Sequence, residues 1–414
     1  MIKNKFLIIF TFVSLSLQAS GGSIYTRTGI GDVVHHNFGR GFGLGLSGIA
    51  LADNGYIGGI NPATWYKLDM TRFDFGLDYS GFSLTDQNSS AYYSDYSFSG
   101  FNFGIPIERD LGITAVIGLQ PVTNVKYEVE SIINDPILGE LSSTYGGNGG
   151  LSKMFLGSTY KFANGYVIGA SLEYYTGTIE YNSSIAFTGS SSYNPAEYTQ
   201  LLSFSGNGLS LGILSNDLLN TIEIGGVKDF RLGAYFNYIN TLNTDSSLIG
   251  QTSAGVINPE SEIFDTKIPY KIGLGASFYY YDNFLIAFDY IYQPWSNYEI
   301  HLKKDSNLRD LHRVSLGAEY TNPDKRISSA IWEQITLRFG LTFEQTQYEI
   351  NGEGINQFLI STGFAYPLGV GNTIDFGFQY GKRGTTNSNL IQEDIFKAAL
   401  SISFGELWFI RHER

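Results

Sequence analysis

The sequence predicts an all-β protein: an antiparallel membrane barrel of about 14 strands, stoppered by its own N-terminal segment. Three observations carry this. From residue 71 onward, apolar and polar residues alternate with period 2. The alternating segments are about ten residues long, as a tilted membrane strand requires. No later stretch is apolar for long enough to cross as a helix, and lipid otherwise accepts only a closed barrel.

The alternation is plain in "ITLRFGLTF", where Ile335, Leu337, Phe339, Leu341 and Phe343 share one face. Thr336, Arg338, Gly340 and Thr342 share the other. "YKIGLGASFY" and "FKAALSISF" behave alike. One apolar face at period 2 means a half-buried antiparallel strand. Strands are expected near 71–81, 95–105, 111–121, 151–162, 166–179, 207–215, 228–240, 268–281, 283–295, 309–321, 332–345, 355–367, 372–382 and 394–409. The phase slips at Gly100, which predicts a bulge. Long polar loops are expected near 122–150, 181–206, 241–266, 322–331, 346–354 and 383–393.

Which side the apolar face meets separates a membrane barrel from a secreted sandwich or propeller. The second face is rich in Gly, Ser and Thr and carries both signs of charge, including Asp74, Glu173, Lys271, Asp289, Arg313, Glu319, Arg338 and Asp375. Opposite charges can pair inside a lumen. Aromatic residues gather at strand ends, as in "WSNYE" and "IYQPW", which suits interfacial girdles.

Composition agrees. Charged residues are only 16 %, against 29 tyrosines, 30 phenylalanines and 49 glycines in 414 residues. Mean hydropathy is close to zero. The net charge of −13 offers no basic patch for nucleic acid. The absence of cysteine excludes disulfides, thiolate metal sites and a Cys nucleophile. The opening "MIKNKFLIIFTFVSLSLQAS" has the form of a secretory signal, read as residues 1–19. The expected organisation continues with a plug over 20–70, a barrel over 71–409 and a tail over 410–414. The plug segment does not alternate, yet carries Phe38, Phe42, Leu44, Leu46, Ile49 and Leu51. A barrel of this size encloses space for it.

"GLGLSGIALADNGYIGGINPATWYKL" resembles the N-terminal signature of the FadL-type outer-membrane transporters of long-chain fatty acids and other hydrophobic compounds. "IPYKIGLGASFYYYDNFLIAFDYIYQPWSNYE", "LRDLHRVSLGAEY" and "GLQPVTNVKYE" extend the likeness. The ending "FQYGKRGT…SISFGELWF" is similar to Bacteroidetes members of that family. The resemblance implies a 14-stranded barrel with a hatch that includes Asn61, Pro62 and Ala63. It implies a kinked third strand that opens the wall laterally. Here that strand carries Gly118 and Pro121. Pro lacks the ladder N–H, so a break has a physical basis; Pro121 merely ending a strand is the other reading.

The expected function is passive outer-membrane uptake of hydrophobic small molecules or lipids, without cofactor or metal. Leu201, Leu202 and Phe204 are expected to touch the ligand first, from a long loop. Relatives in the same superfamily serve type IX secretion, so an adaptor for exported proteins is the alternative. A structural porin is a third reading. Gly43, Gly45 and Gly48 fit a dinucleotide fingerprint but lack its preceding strand. His312 and Ser315 differ in parity, hence in face, which argues against a catalytic pair.

Overall fold

The computed structural model describes residues 22–35, 38–87, 89–135, 139–187, 195–219, 225–252, 255–323, 330–369 and 371–407. The expected signal peptide and C-terminal tail lie outside the described residues.

A closed antiparallel barrel of 14 wall strands forms the body. Its strands are β2 (Thr71–Thr85), β3 (Ser90–Glu108), then a third in two pieces, β4 (Ile113–Pro121) and β5 (Thr123–Asp135). There follow β6 (Gly139–Lys161), β7 (Val167–Phe187) and β8 (Ala196–Leu214). The seventh and eighth are also divided, into β9 (Val227–Ile239) with β10 (Leu242–Thr252) and β11 (Gly255–Lys267) with β12 (Lys271–Tyr280). The circuit is completed by β13 (Phe284–Gln293), β16 (Leu311–Tyr320), β17 (Thr336–Ile350), β18 (Glu353–Gly369), β19 (Asn372–Arg383) and β20 (Gln392–Glu406). A small hairpin, β14 (Glu299–Ile300) and β15 (Lys303–Lys304), follows β13. The last strand pairs with the first from Thr71↔Glu406 to Thr85↔Gln392, so the wall closes.

The alternation is inverted relative to a soluble protein. Leu172 is 70 % exposed, while its chain neighbours Ser171 and Glu173 are 4 % and 5 %. Ile213, Leu274, Leu337 and Phe339 point outward; Arg72, Asp289, Arg313 and Arg338 are buried. Apolar side chains outside and charges inside suit hydrocarbon as the solvent. Two aromatic girdles bound the apolar band. Tyr160, Tyr166, Tyr280 and Tyr320 mark one edge, and Tyr96, Tyr174, Tyr238 and Tyr270 the other, all exposed. Tyr166, just before β7, and Tyr174 within it lie eight residues apart; Tyr270, just before β12, and Tyr280 at its end lie ten apart. At about 3.3 Å per residue and a tilt of about 40°, that is a band of about 20–25 Å.

The bulge at Gly100 is present. Gly76 pairs Gly100 but Leu77 pairs Phe98, which leaves Ser99 unmatched, and Gly100 has φ +129°. Several expected loops are corrected. Most of 122–150, 181–206 and 241–266 is paired strand, and only Asn351–Gly352 separates β17 from β18. The sequence misleads there because those hairpins rise beyond the bilayer. Once both faces meet water, side-chain alternation fades while backbone pairing continues.

Residues 22–70, the segment expected as the hatch and called so below, bond to the inner side of this wall. They comprise 3-10 turns at Ile24–Arg27 and Pro62–Lys67, strand β1 (Asp32–Val33) and helix α1 (Gly39–Gly43). Their polar groups bond to strands all round the barrel. Asp289 accepts from Gly48 and Ile49 N–H, Asp74 from Ile57 N–H, and Thr342 donates to Gly45 O. Gln347 donates to Gly31 O, and Ser277 to Ala50 O.

Candidate functional site: the plugged lumen and the opening in its wall

The hatch backbone lies directly on the wall because inward wall positions are glycines. A Cβ at Gly340 would sit 2.1 Å from Gly45 N, and one at Gly317 2.5 Å from Leu44 O. No real side chain tolerates such contacts. The same holds for the Asn61–Pro62–Ala63 segment. Cβ atoms at Gly169 and Gly212 would meet Ala63 N at 2.4 Å and Asn61 Oδ1 at 1.9 Å. The buried Asn61 caps the turn that Pro62 begins, accepting from Ala63 N–H at 3.0 Å. Its amide donates to Ile49 O at 2.8 Å and to Ile213 O of β8 at 3.3 Å. These three residues bind two limbs of the hatch to the wall.

Two ionic networks hold the rest. Arg40 of α1 makes a two-pronged bond to Glu319, which also takes Arg338 Nε at 2.7 Å. Arg338 reaches on to Asp375, and Tyr56 donates to that carboxylate at 3.0 Å. Near the opposite rim, Asp32 accepts from Arg383 at 2.8 and 2.9 Å and from Tyr348 at 2.7 Å. Arg383 also pairs with Glu393, which accepts from Ser23 at 2.7 Å. Between the networks, His35 Nε2 lies 2.6 Å from Glu344 Oε2. Burial, helped by the Arg313 charge, pushes His35 down to about 4 against the pull of Glu344.

The wall is interrupted at the third strand. The β3–β4 ladder runs only between Phe101↔Leu119 and Glu108↔Ile113. On the Ser90–Gly100 side, β3 pairs with β2 alone among the described residues. Pro121 closes β4, and β5 then pairs with β6 on one edge. Its other edge takes the hatch strand β1 through Asp32↔Asn124 and Val33↔Thr123. Gly118 lies within the β3–β4 ladder opposite Asn102, three residues before the break. There a Cβ would meet Asn102 Oδ1 at 2.4 Å and the Phe155 ring at 2.6 Å. Two cavities flank the interruption, one of about 100 Å³ behind β3 and one of about 200 Å³ at the break. Both are lined by Val34, Asp78, Ser97 and Asn124, so they lie side by side. Lys126 Nζ spans the gap to Asp95 at 2.8 Å.

Above the hatch the lumen changes character. Tyr25 and Ile30 pack with Ile179, Leu202, Phe204, Leu242, Trp295 and Tyr298 in one apolar cluster. Leu201, Leu202 and Phe204 therefore sit on β8, not on a loop. Leu202 and Phe204 are buried in the cluster; Leu201, of opposite parity, is not part of it. The structure also separates His312 from Ser315: His312 bonds Tyr290 at 2.8 Å, while Ser315 is fully buried.

The sequence reading missed the glycine seats at Gly169, Gly212, Gly317 and Gly340. Inward-parity glycine within alternating strands is the signal that could have found them. Lys126 and Asp95 had no signal, because their strands meet only across the break.

The description "BamG" belongs to the family model that matches residues 1–413. The chain belongs to the BamG family. No curated protein matches this BamG-family sequence. Solved structures show the fold. The Pseudomonas putida toluene transporter TodX superposes with a TM-score of 0.59 at 14 % identity, over 88 % of this chain and 97 % of its own. A Pseudomonas aeruginosa FadL homologue gives 0.58 at 12 % identity, over 90 % and 98 %. The Ralstonia pickettii toluene transporter TbuX gives 0.56 at 15 % identity, over 83 % and 92 %. The BamG-family chain thus has the barrel fold of FadL-type channels.

Proposed function

We propose that this protein takes up hydrophobic small molecules across an outer membrane and releases them sideways through the opening between β3 and β5. One observation supports the reading: the wall ladder stops at Phe101↔Leu119, and two adjacent cavities lie against the break. The apolar cluster that buries Leu202 and Phe204 supplies the apolar interior a ligand enters, driven by removal of apolar surface from water. A shift of the hatch then connects cluster and cavities. The lining at the break is mixed: Asp78, Ser97 and Asn124 lie beside Val34, Phe98, Pro121 and Leu151. An apolar cluster above and a mixed lining below fit a molecule with a polar group on an apolar body, as in a fatty acid. Toluene and transport names attach to the structural neighbours and support the reading only through the shared fold.

The test is uptake into cells carrying the chain, with radiolabelled oleate and toluene compared. Oleate entry above the level of barrel-free cells, abolished by Asn124→Trp, is expected. Equal entry with and without the protein would overturn the proposal.

A further inference from the structure

Strand β11 has a bare edge. It pairs with β10 along its length, but on the other side only Thr266 and Lys267 find a partner, in β14. The next wall strand, β12, pairs with β9 instead. The Asp265 carbonyl still accepts from His301 N–H at 3.1 Å, but Gly255–Phe264 has no strand on this side among the described residues. This edge stands clear of the bilayer, since Ile263 lies seven residues, about 23 Å of extended chain, beyond the girdle residue Tyr270.

Its side chains are of two kinds. Ile263 is 70 % exposed and Val256 65 %, with Leu248 and Ile249 exposed on β10. Glu262, Asp265 and Asp245 are exposed beside them, and Asp245 lies opposite Ile263 in the register. The nearby cation Lys267 is already held by Glu299 at 2.7 Å, and His301 Nδ1 lies 3.6 Å from Glu262. Water-exposed apolar residues on an open strand invite pairing. The acidic side chains select against a second copy of the same edge, because like charges would face each other.

We propose that the β11 edge is a docking site for an extended, basic polypeptide segment that adds to the sheet as a further strand. Its backbone would satisfy Gly255–Phe264, apolar side chains would cover the face of Ile263, and lysine or arginine would meet Glu262 on the other face. Nothing in this depends on whether small molecules pass through the barrel.

The test uses the full chain in phosphatidylcholine nanodiscs. Three labelled dodecapeptides are the probes: alternating Val and Lys, alternating Val and Glu, and the Val/Lys peptide N-methylated at alternate residues. Saturable binding of the first at 0.15 M salt is expected, at least tenfold weaker for the N-methylated form and absent for the acidic one. The double substitution Ile263→Lys, Glu262→Lys should weaken binding at least tenfold while heat-modifiable gel migration still reports a closed barrel. No binding of the Val/Lys peptide overturns the proposal. So does equal binding of the N-methylated form, an unaffected double variant, or a dimer of the chain formed through this edge.

Discussion

Arg40 in the hatch and Glu319 in the wall are joined by two parallel hydrogen bonds, Nε to Oε2 at 3.1 Å and Nη2 to Oε1 at 3.0 Å. Both residues are buried. The planar guanidinium thus fixes α1 in orientation as well as position. Arg40→Met should loosen the hatch without opening the barrel, since Arg338 still neutralises Glu319. Breaking a buried pair costs about 3–5 kcal/mol, and the remaining arginine should hold the loss near the lower figure. A lower urea midpoint, with increased ion leak across a planar bilayer, is the expected readout.

The ion pair across the opening should act as a weak latch. Lys126 and Asp95 are partly exposed, so their pair contributes at most about 1 kcal/mol. Lys126→Ala should raise oleate uptake by up to about fivefold, and the gain should shrink as salt rises. An unchanged rate at low salt would show that the pair does not limit passage.

Filling the two cavities should block release. Asn124 lines both cavities and is paired with hatch residue Asp32. Asn124→Trp or Ser97→Trp should cut uptake at least tenfold with the barrel intact. Uptake by a folded, filled variant at the parent rate would point to release through the far end of the lumen.

His35 should make hatch stability depend on pH. Its folded value of about 4 lies below the ordinary 6.5, so between these values the unfolded chain binds a proton that the folded chain does not. Stability is therefore complete above about pH 6.5 and falls as pH drops toward 4, by up to about 3 kcal/mol. Unfolding midpoints of the parent and His35→Gln, measured from pH 7.5 to 4, should converge at acid pH if the variant lacks this slope.

The glycine seats predict a steric result. Gly212→Ala would press a methyl group into Asn61 Oδ1, and Gly340→Ala another into Gly45 N. Overpacking against backbone costs about 1–3 kcal/mol, here borne by hatch seating. Proteolysis of detergent-solubilised variants should cut within residues 39–63 sooner than in the parent. Alanine at Gly352, where no neighbouring atom lies within 4 Å but φ is +78°, tests backbone strain alone.

The sequence by itself determined the strands that touch lipid, their inverted polarity and the presence of a non-alternating stopper. Period 2 is a local property, imposed on each strand by two different solvents on its two faces. It was legible in Ile335–Phe343 and in Tyr270–Phe278 without knowledge of any partner. Beyond the bilayer the same reasoning failed, as in 181–206, because water on both faces erases the contrast that makes a strand readable. Leu202 and Phe204 were consequently assigned to a loop and are buried in the lumen. Only the tertiary structure decided which charge meets which, that Gly212 receives Asn61, and that β5 leaves β3 to pair with Asp32 and Val33. Those contacts join residues tens to hundreds of positions apart. Closure of the barrel brings them together, and no local pattern in the chain records it.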